Sequence, residues 1–149
     1  MIALLQRVRR ASVTVDDTVV AEIGRGLLVF IGIERDDGQA QAQRLLERLL
    51  SYRVFEDEQR RMNRSLRDLG PADGGLLLVS QFTLAADTRS GTRPSFTPAM
   101  APDPAKTLYA QLVDDARAAW PNTGSGVFGA DMQVALVNDG PVTFSLRVE

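Results

Sequence analysis

The stretch Leu27-Leu28-Val29-Phe30-Ile31-Gly32-Ile33 decides the reading of the fold. It is short, continuously apolar and rich in β-branched residues, the pattern of a strand buried on both faces, so it belongs at the centre of a sheet. Gly24-Arg25-Gly26 punctuates its start. Upstream, Ile2 to Val15 mixes apolar runs with the alternation Ala11-Ser12-Val13-Thr14-Val15. Asp16-Asp17 then supplies turn chemistry, and Val19-Val20-Ala21-Glu22-Ile23 completes a predicted hairpin.

Downstream the period changes. From Gly38 onward, Ala42, Leu45, Leu46, Leu49 and Leu50 recur at helical spacing, with Arg44, Glu47 and Arg48 on the other face. Tyr52-Arg53-Val54-Phe55 is read as a possible return to the sheet, and the charged stretch from Glu56 to Asp68 as an exposed loop or irregular segment. Gly70-Pro71-Ala72-Asp73-Gly74-Gly75 is turn-rich and precedes a second buried strand, Leu76-Leu77-Leu78-Val79. Ala85 to Pro104 holds Pro94, Pro98, Pro102 and Pro104 and reads as a long ordered loop. A second helix follows over Ala105 to Trp120, with Leu108, Leu112, Val113 and Ala116 on its apolar face and Pro121 ending it. Strands are expected at Val127-Phe128, Met132 to Val137 and Val142 to Val148, the last two broken by Asn138-Asp139-Gly140-Pro141. The architecture is therefore α+β: one domain over residues 1–149, with largely antiparallel β-sheets forming a barrel-like core and two main helices.

The chain has 149 residues, 44% hydrophobic and 24% charged, and needs no disulfide or metal to hold a core of that size. It contains no Cys and no His. That excludes a Ser-His-Asp triad, a Cys-His dyad, ordinary structural zinc sites and a histidine pH switch. The carboxylates form no recognisable ligand spacing, so neither metal nor cofactor is expected. A net charge of −2 gives no global field toward nucleic acid, and any phosphate contact must be local. All basic residues except Lys106 are arginine, a composition that bias alone explains. No stretch reaches the roughly 18 apolar residues of a membrane helix. The expected location is cytoplasmic.

Two places break the local rules. At Ser80-Gln81-Phe82-Thr83 two hydroxyls, an amide and backbone donors arrive together at the end of a buried strand; the same pattern also suits a strand end whose hydroxyls satisfy neighbouring backbone groups. At Gly140-Pro141 a break falls between two strands, and Asp-Gly-Pro is also common turn chemistry. On residue pattern alone, both readings of both segments stay open.

Ser80-Gln81-Phe82-Thr83-Leu84 and Asn138-Asp139-Gly140-Pro141-Val142-Thr143 closely resemble the two signature motifs of the D-aminoacyl-tRNA deacylase family, also called D-tyrosyl-tRNA(Tyr) deacylase. The resemblance extends through Leu5-Gln6-Arg7-Val8, Arg53-Val54-Phe55, Met62-Asn63, Gly91 to Phe96 and Gly126 to Val134. Departures are small. Arg60-Arg61 precedes Met62-Asn63 where the family often has Gly-Lys, and Ala85-Ala86 follows the first motif where an aromatic is frequent, which bears on the pocket rim.

The resemblance implies a homodimer with active sites at the subunit interface, acting on D-aminoacyl-tRNA and glycyl-tRNA without a membrane or cofactor. It implies that the Gly140-Pro141 bond is cis and enters the partner's pocket, where main-chain atoms reject L-side chains, and that Arg7 holds this loop, with a strand-surface charge as the other reading of Arg7. Catalysis is assigned to the segment Ser80, Gln81, Phe82 and Thr83. A neutral Thr83 or Ser80 hydroxyl is a poor nucleophile without a base, and the one lysine lies on a predicted helix. The route left is substrate assistance by the 2′-hydroxyl of the terminal adenosine, with backbone N–H groups near Gln81, Phe82 and Thr83 as oxyanion donors. Arg89 and Arg93 are candidate tRNA contacts, with solvated loop charges as the alternative. The competing functions are a Ser/Thr acyl hydrolase and a non-catalytic module that binds tRNA ends.

Overall fold

The computed structural model describes residues 1–149. Strand β1 (Ile2–Val15) turns through Asp16 and Asp17, both at positive φ, into β2 (Thr18–Ile23). Two consecutive left-handed residues are what a two-residue hairpin turn requires, and Asp tolerates that conformation better than most side chains. The central strand β3 (Gly26–Gly32) pairs antiparallel with the first half of β1. Helix α1 (Gln39–Ser51) follows, its first N–H groups met in part by the Gln41 side chain, which accepts from Gly38 N–H at 3.0 Å. Strand β6 (Gly75–Ser80) then runs parallel to β3, and β7 (Thr123–Ser125) parallel to β6. Strand β8 (Gln133–Arg147) pairs along the opposite edge of β1. The sheet is mixed, in the order β2-β1-β3-β6-β7 with β8 on β1, and it curls into a nearly closed barrel.

The apolar runs are continuous because the sheet is covered on both sides. Leu27, Val29 and Ile31 of β3 and Leu76 and Leu78 of β6 face a large core shared with α1 and with α3 (Pro102–Ala119). Leu28, Leu77 and Val79 point the other way, into a smaller core inside the barrel with Val8, Ala11, Val13 and Ile23. In β1 the alternation resets at the exposed pair Arg9-Arg10, so that Val8 and Ala11 face the same core; the pairing with β8 shifts register there.

Several boundaries differ from expectation. The segment from Glu56 to Asp68 is ordered: β4 (Phe55–Glu56) and β5 (Met62–Arg64) form a small separate hairpin, and Leu66–Leu69 make one helical turn, α2. Charge in this stretch masked a local network. Asp57 accepts from the N–H groups of Gln59 and Arg61 and from the Asn63 amide, contacts that hold its carboxyl below the usual range. The Tyr52-Arg53-Val54-Phe55 stretch thus reaches a hairpin of its own rather than the main sheet. Strand β7 lies at Thr123–Ser125, not at Val127-Phe128, and β8 runs through Asn138-Asp139-Gly140-Pro141 as one strand with an outward bulge. No helix is long and apolar enough to cross a membrane.

Tyr109 of α3 ties helix to sheet. Its buried hydroxyl donates to the Leu78 carbonyl at 2.9 Å and lies 2.8 Å from Ser125 Oγ. Burial pushes its pKa up to about 12. Because the folded value lies above the ordinary 10.0, this contribution is complete below pH 10 and fades as pH rises toward 12. Tyr109→Phe is expected to cost about 1 kcal/mol at neutral pH, since Gly126 N–H still satisfies Leu78. Denaturant midpoints measured from neutral pH to pH 12 should show the gap between variant and wild type closing above pH 10.

Candidate functional site

Strand β6 delivers Ser80 beside Ile31 of β3, and Gln81 N–H closes the junction on the Ile31 carbonyl at 2.7 Å. The chain then tightens into a 3-10 turn over Phe82–Ala85. Only a glycine at 32 allows it to fold back so closely, because a Cβ there would lie 2.8 Å from Leu84 Cβ and 3.3 Å from the Gln81 carbonyl. The N–H groups of Phe82 and Thr83 find no main-chain acceptor. Thr83 Oγ1 accepts from the Gln81 amide at 2.6 Å, a partner that cannot remove its proton. Ser80 Oγ makes no hydrogen bond to a carboxylate or amine either, so neither hydroxyl is paired with a base.

The following loop is clamped across the end of β3. Asp87 and Ser95 exchange two main-chain hydrogen bonds, Arg35 N–H reaches the Pro98 carbonyl and Met100 N–H the Ile33 carbonyl. Phe96 lies against Phe82, with ring centroids 5.1 Å apart. Together these elements and the segment after β7 enclose a mostly apolar cavity of about 690 Å³, bounded by Ser80, Gln81, Phe82, Phe96, Phe128 and Met132 among others. That volume falls in the range of small-molecule sites, roughly 300–1,000 Å³. Arg89 does not reach toward it as a free cation. Its guanidinium forks onto Asp87 at 2.9 and 2.6 Å and holds that carboxyl down to about 2. Arg93 is exposed at the loop tip and makes no ion pair.

The second motif lies in β8. Gln6 pairs with Thr143 and Val8 with Asn138, so Asp139 to Val142 bulge out opposite the single residue Arg7. The Gly140-Pro141 bond is cis, and both residues are exposed. Gly140 has φ +131°, and a Cβ on it would lie 2.8 Å from both an Arg7 guanidinium nitrogen and Val142 Cγ2. The base of the bulge is stitched by Asn138, whose amide donates to the carbonyls of Arg7 and Val142 at 2.9 and 3.0 Å. Arg7, only 6% exposed, donates to the carbonyls of Asp139 at 3.0 Å and Val54 at 2.7 Å. One planar fork thus fixes the bulge to the β4 segment.

The structure therefore gathers Ser80, Gln81 and Phe82 around one cavity, with Thr83 on the adjoining turn, and Arg7 with Gly140 and Pro141 at a separate projection. No residue of the bulge lines the cavity of its own chain. Residue patterns passed over Gly32, Asn138 and the Val54 carbonyl. The first reads as part of a strand, the second as part of a turn, and the third carries no side-chain signal at all.

Fold and site define a mixed α+β barrel with an apolar cavity at a strand end, main-chain donors on its rim, and no nucleophile–base pair. The chain belongs to the D-Tyr-tRNA(Tyr) deacylase family, which matches residues 4–147. It is 61% identical to the D-aminoacyl-tRNA deacylase of Cupriavidus metallidurans, covering 99% of this chain and 96% of that protein. It is 60% identical to the D-aminoacyl-tRNA deacylase of Stutzerimonas stutzeri, covering 99% of each. Among solved structures it superimposes on the c-Myc DNA unwinding element binding protein with a TM-score of 0.93 at 38% identity, covering 100% of this chain and 99% of the other. A probable eukaryotic D-amino acid tRNA deacylase shares the fold, with a TM-score of 0.82 at 20% identity over 97% of this chain and 98% of that one.

The close approach at Gly32 makes a direct prediction. Gly32→Ala should cost about 1–3 kcal/mol through overpacking against Leu84 and shift the Phe82–Phe96 contact, read as a lower denaturant midpoint at unchanged slope and moved aromatic NMR signals.

Proposed function

We propose that this chain hydrolyses the ester between a D-amino acid, or glycine, and the terminal adenosine of tRNA. It does so in the cytoplasm as a one-domain homodimer, each active site combining the cavity of one protomer with the Gly140-Pro141 bulge of its partner. The observation that carries this reading is the separation described above. One chain has an open cavity ending in unclaimed N–H groups, and elsewhere an exposed, rigidly braced main-chain projection with nothing of its own to fill. A second copy supplies each with its complement.

The cavity suits a nucleoside: flat apolar walls for a base, and the Ser80–Thr83 turn for the ester. The N–H groups of Phe82 and Thr83 are the candidates to stabilise the oxyanion, and no side chain of the turn has a base to activate it. The 2′-hydroxyl of the terminal ribose, next to the scissile ester, takes the role of assisting water. Selection is by exclusion. An L-side chain meets main-chain atoms of the bulge, which Arg7 and Asn138 hold in place, whereas hydrogen or a D-side chain does not. Such a selector reads no side chain and accepts D-residues broadly. Arg93 remains a candidate phosphate contact, while Arg89 is committed to Asp87.

The decisive test is amino-acid release from D-tyrosyl-, L-tyrosyl- and glycyl-tRNA. Rapid cleavage of the D and glycyl esters with the L ester spared is expected. Gly140→Ala should lower the D-ester rate by about tenfold or more by displacing Arg7 and Val142. Failure to cleave any of the three by a folded dimer would leave a tRNA-end binding module in its place.

The chemical step has its own test. Thr83→Ala is expected to keep kcat within about tenfold, and kcat should be flat from about pH 6 to 8, because the chain has no histidine to act as a base there. Complete loss of turnover with tRNA binding intact, or a trapped acyl-enzyme, would favour a covalent Ser/Thr route.

A further inference from the structure

The cavity wall carries one ionisable side chain, Asp131, and no cation. Asp131 is exposed at the cavity's edge and makes no hydrogen bond or ion pair within the chain. A bare carboxylate beside a site for a polyanion is repulsive unless the ligand offers it a donor, and an ionised carboxylate only accepts. It follows Phe128 by three residues, on the segment that also contributes Met132, so the same wall supplies flat apolar surface and an acceptor at its edge. The groups assigned to the ester, Ser80, Gln81 and Phe82, come from different elements, the end of β6 and the 3-10 turn after it. With the ester assigned to the Ser80–Thr83 turn in the reading above, the donors left for the wall that carries Asp131 are those of the base.

Resting on the deacylase reading above, we propose that Asp131 accepts a hydrogen bond from the exocyclic amino group of the terminal adenine and makes the cavity selective for an amino-bearing base. Carboxylate-to-amino pairing is an established means of base discrimination, and a charge-assisted bond is stronger than a neutral one. The α-ammonium group is left to the carbonyls of the partner's bulge, and the 2′-hydroxyl to the reacting water.

NMR titration with adenosine, purine riboside (the same nucleoside without the amino group) and 2′-deoxyadenosine, on wild type, Asp131→Ala and Asp131→Asn, tests this without turnover. Wild type should bind adenosine about tenfold more tightly than purine riboside. In Asp131→Ala that ratio should fall below about twofold, with Asp131→Asn, a neutral acceptor, between them. Equal or absent binding of the two nucleosides by wild type, or a ratio that survives in Asp131→Ala, overturns the assignment. So does loss in Asp131→Ala of discrimination against 2′-deoxyadenosine instead. Cleavage of D-tyrosyl-tRNA by wild type is scored separately. Cleavage without amino-group selectivity removes the role of Asp131 and leaves the deacylase standing. Selectivity without cleavage of any ester removes the deacylase and keeps the base site.

Discussion

The structure depends on β1 being hydrogen-bonded along both edges over nearly its whole length. One edge takes β3 and then β2; the other takes β8. A strand so saturated has no freedom to slide, because a one-residue slip would send Ala3 and Leu5 out of one core and Val13 out of the other. Between Gln6 and Val8 the two strands fall out of step, and the four residues of β8 opposite Arg7 emerge there as the outward bulge from Asp139 to Val142. The projection is thus placed by sheet register, and the buried Arg7 guanidinium and the Asn138 amide fasten it.

Arg7 connects this register to the rest of the molecule. Its two carbonyl acceptors, at Val54 and Asp139, lie 85 residues apart in the chain, and its charge is met by the Asp139 carboxylate at 3.6 Å. A lysine would keep the charge and lose the fork. The cavity has a similar dependence on β3 and β6: their parallel pairing brings Ile31 beside Ser80, and the glycine after Ile31 lets the 3-10 turn close. Both halves of the proposed site are therefore built mainly from backbone, which suits chemistry that needs position and exclusion more than an acid or a base.

Much of this was legible from residues. The Leu27 to Ile33 run does form a central strand, since its side chains enter two cores by turns; the first helical stripe buries every residue its spacing singles out, and the second buries Leu112, Val113 and Ala116 but leaves Leu108 half-buried, with Ala105 and Tyr109 buried in its place. The hairpin through Asp16-Asp17 follows from turn chemistry. What was illegible had local causes: the charged stretch after Glu56 folds because Asp57 and Asn63 satisfy backbone and one another, and composition does not record such pairings.

The sequence by itself determined the α+β class, the family, and the absence of any histidine or cysteine chemistry, because periodicity, motif order and residue type are properties of the chain. Only the tertiary structure decided that the two motifs stand at separate places on one chain, that Arg89 is bound to Asp87, and that Asp131 is the one charge on the cavity wall. Those facts are distances between residues remote in sequence, or between neighbours whose side chains choose each other over solvent. They exist only once the sheet has fixed which backbone groups remain unpaired.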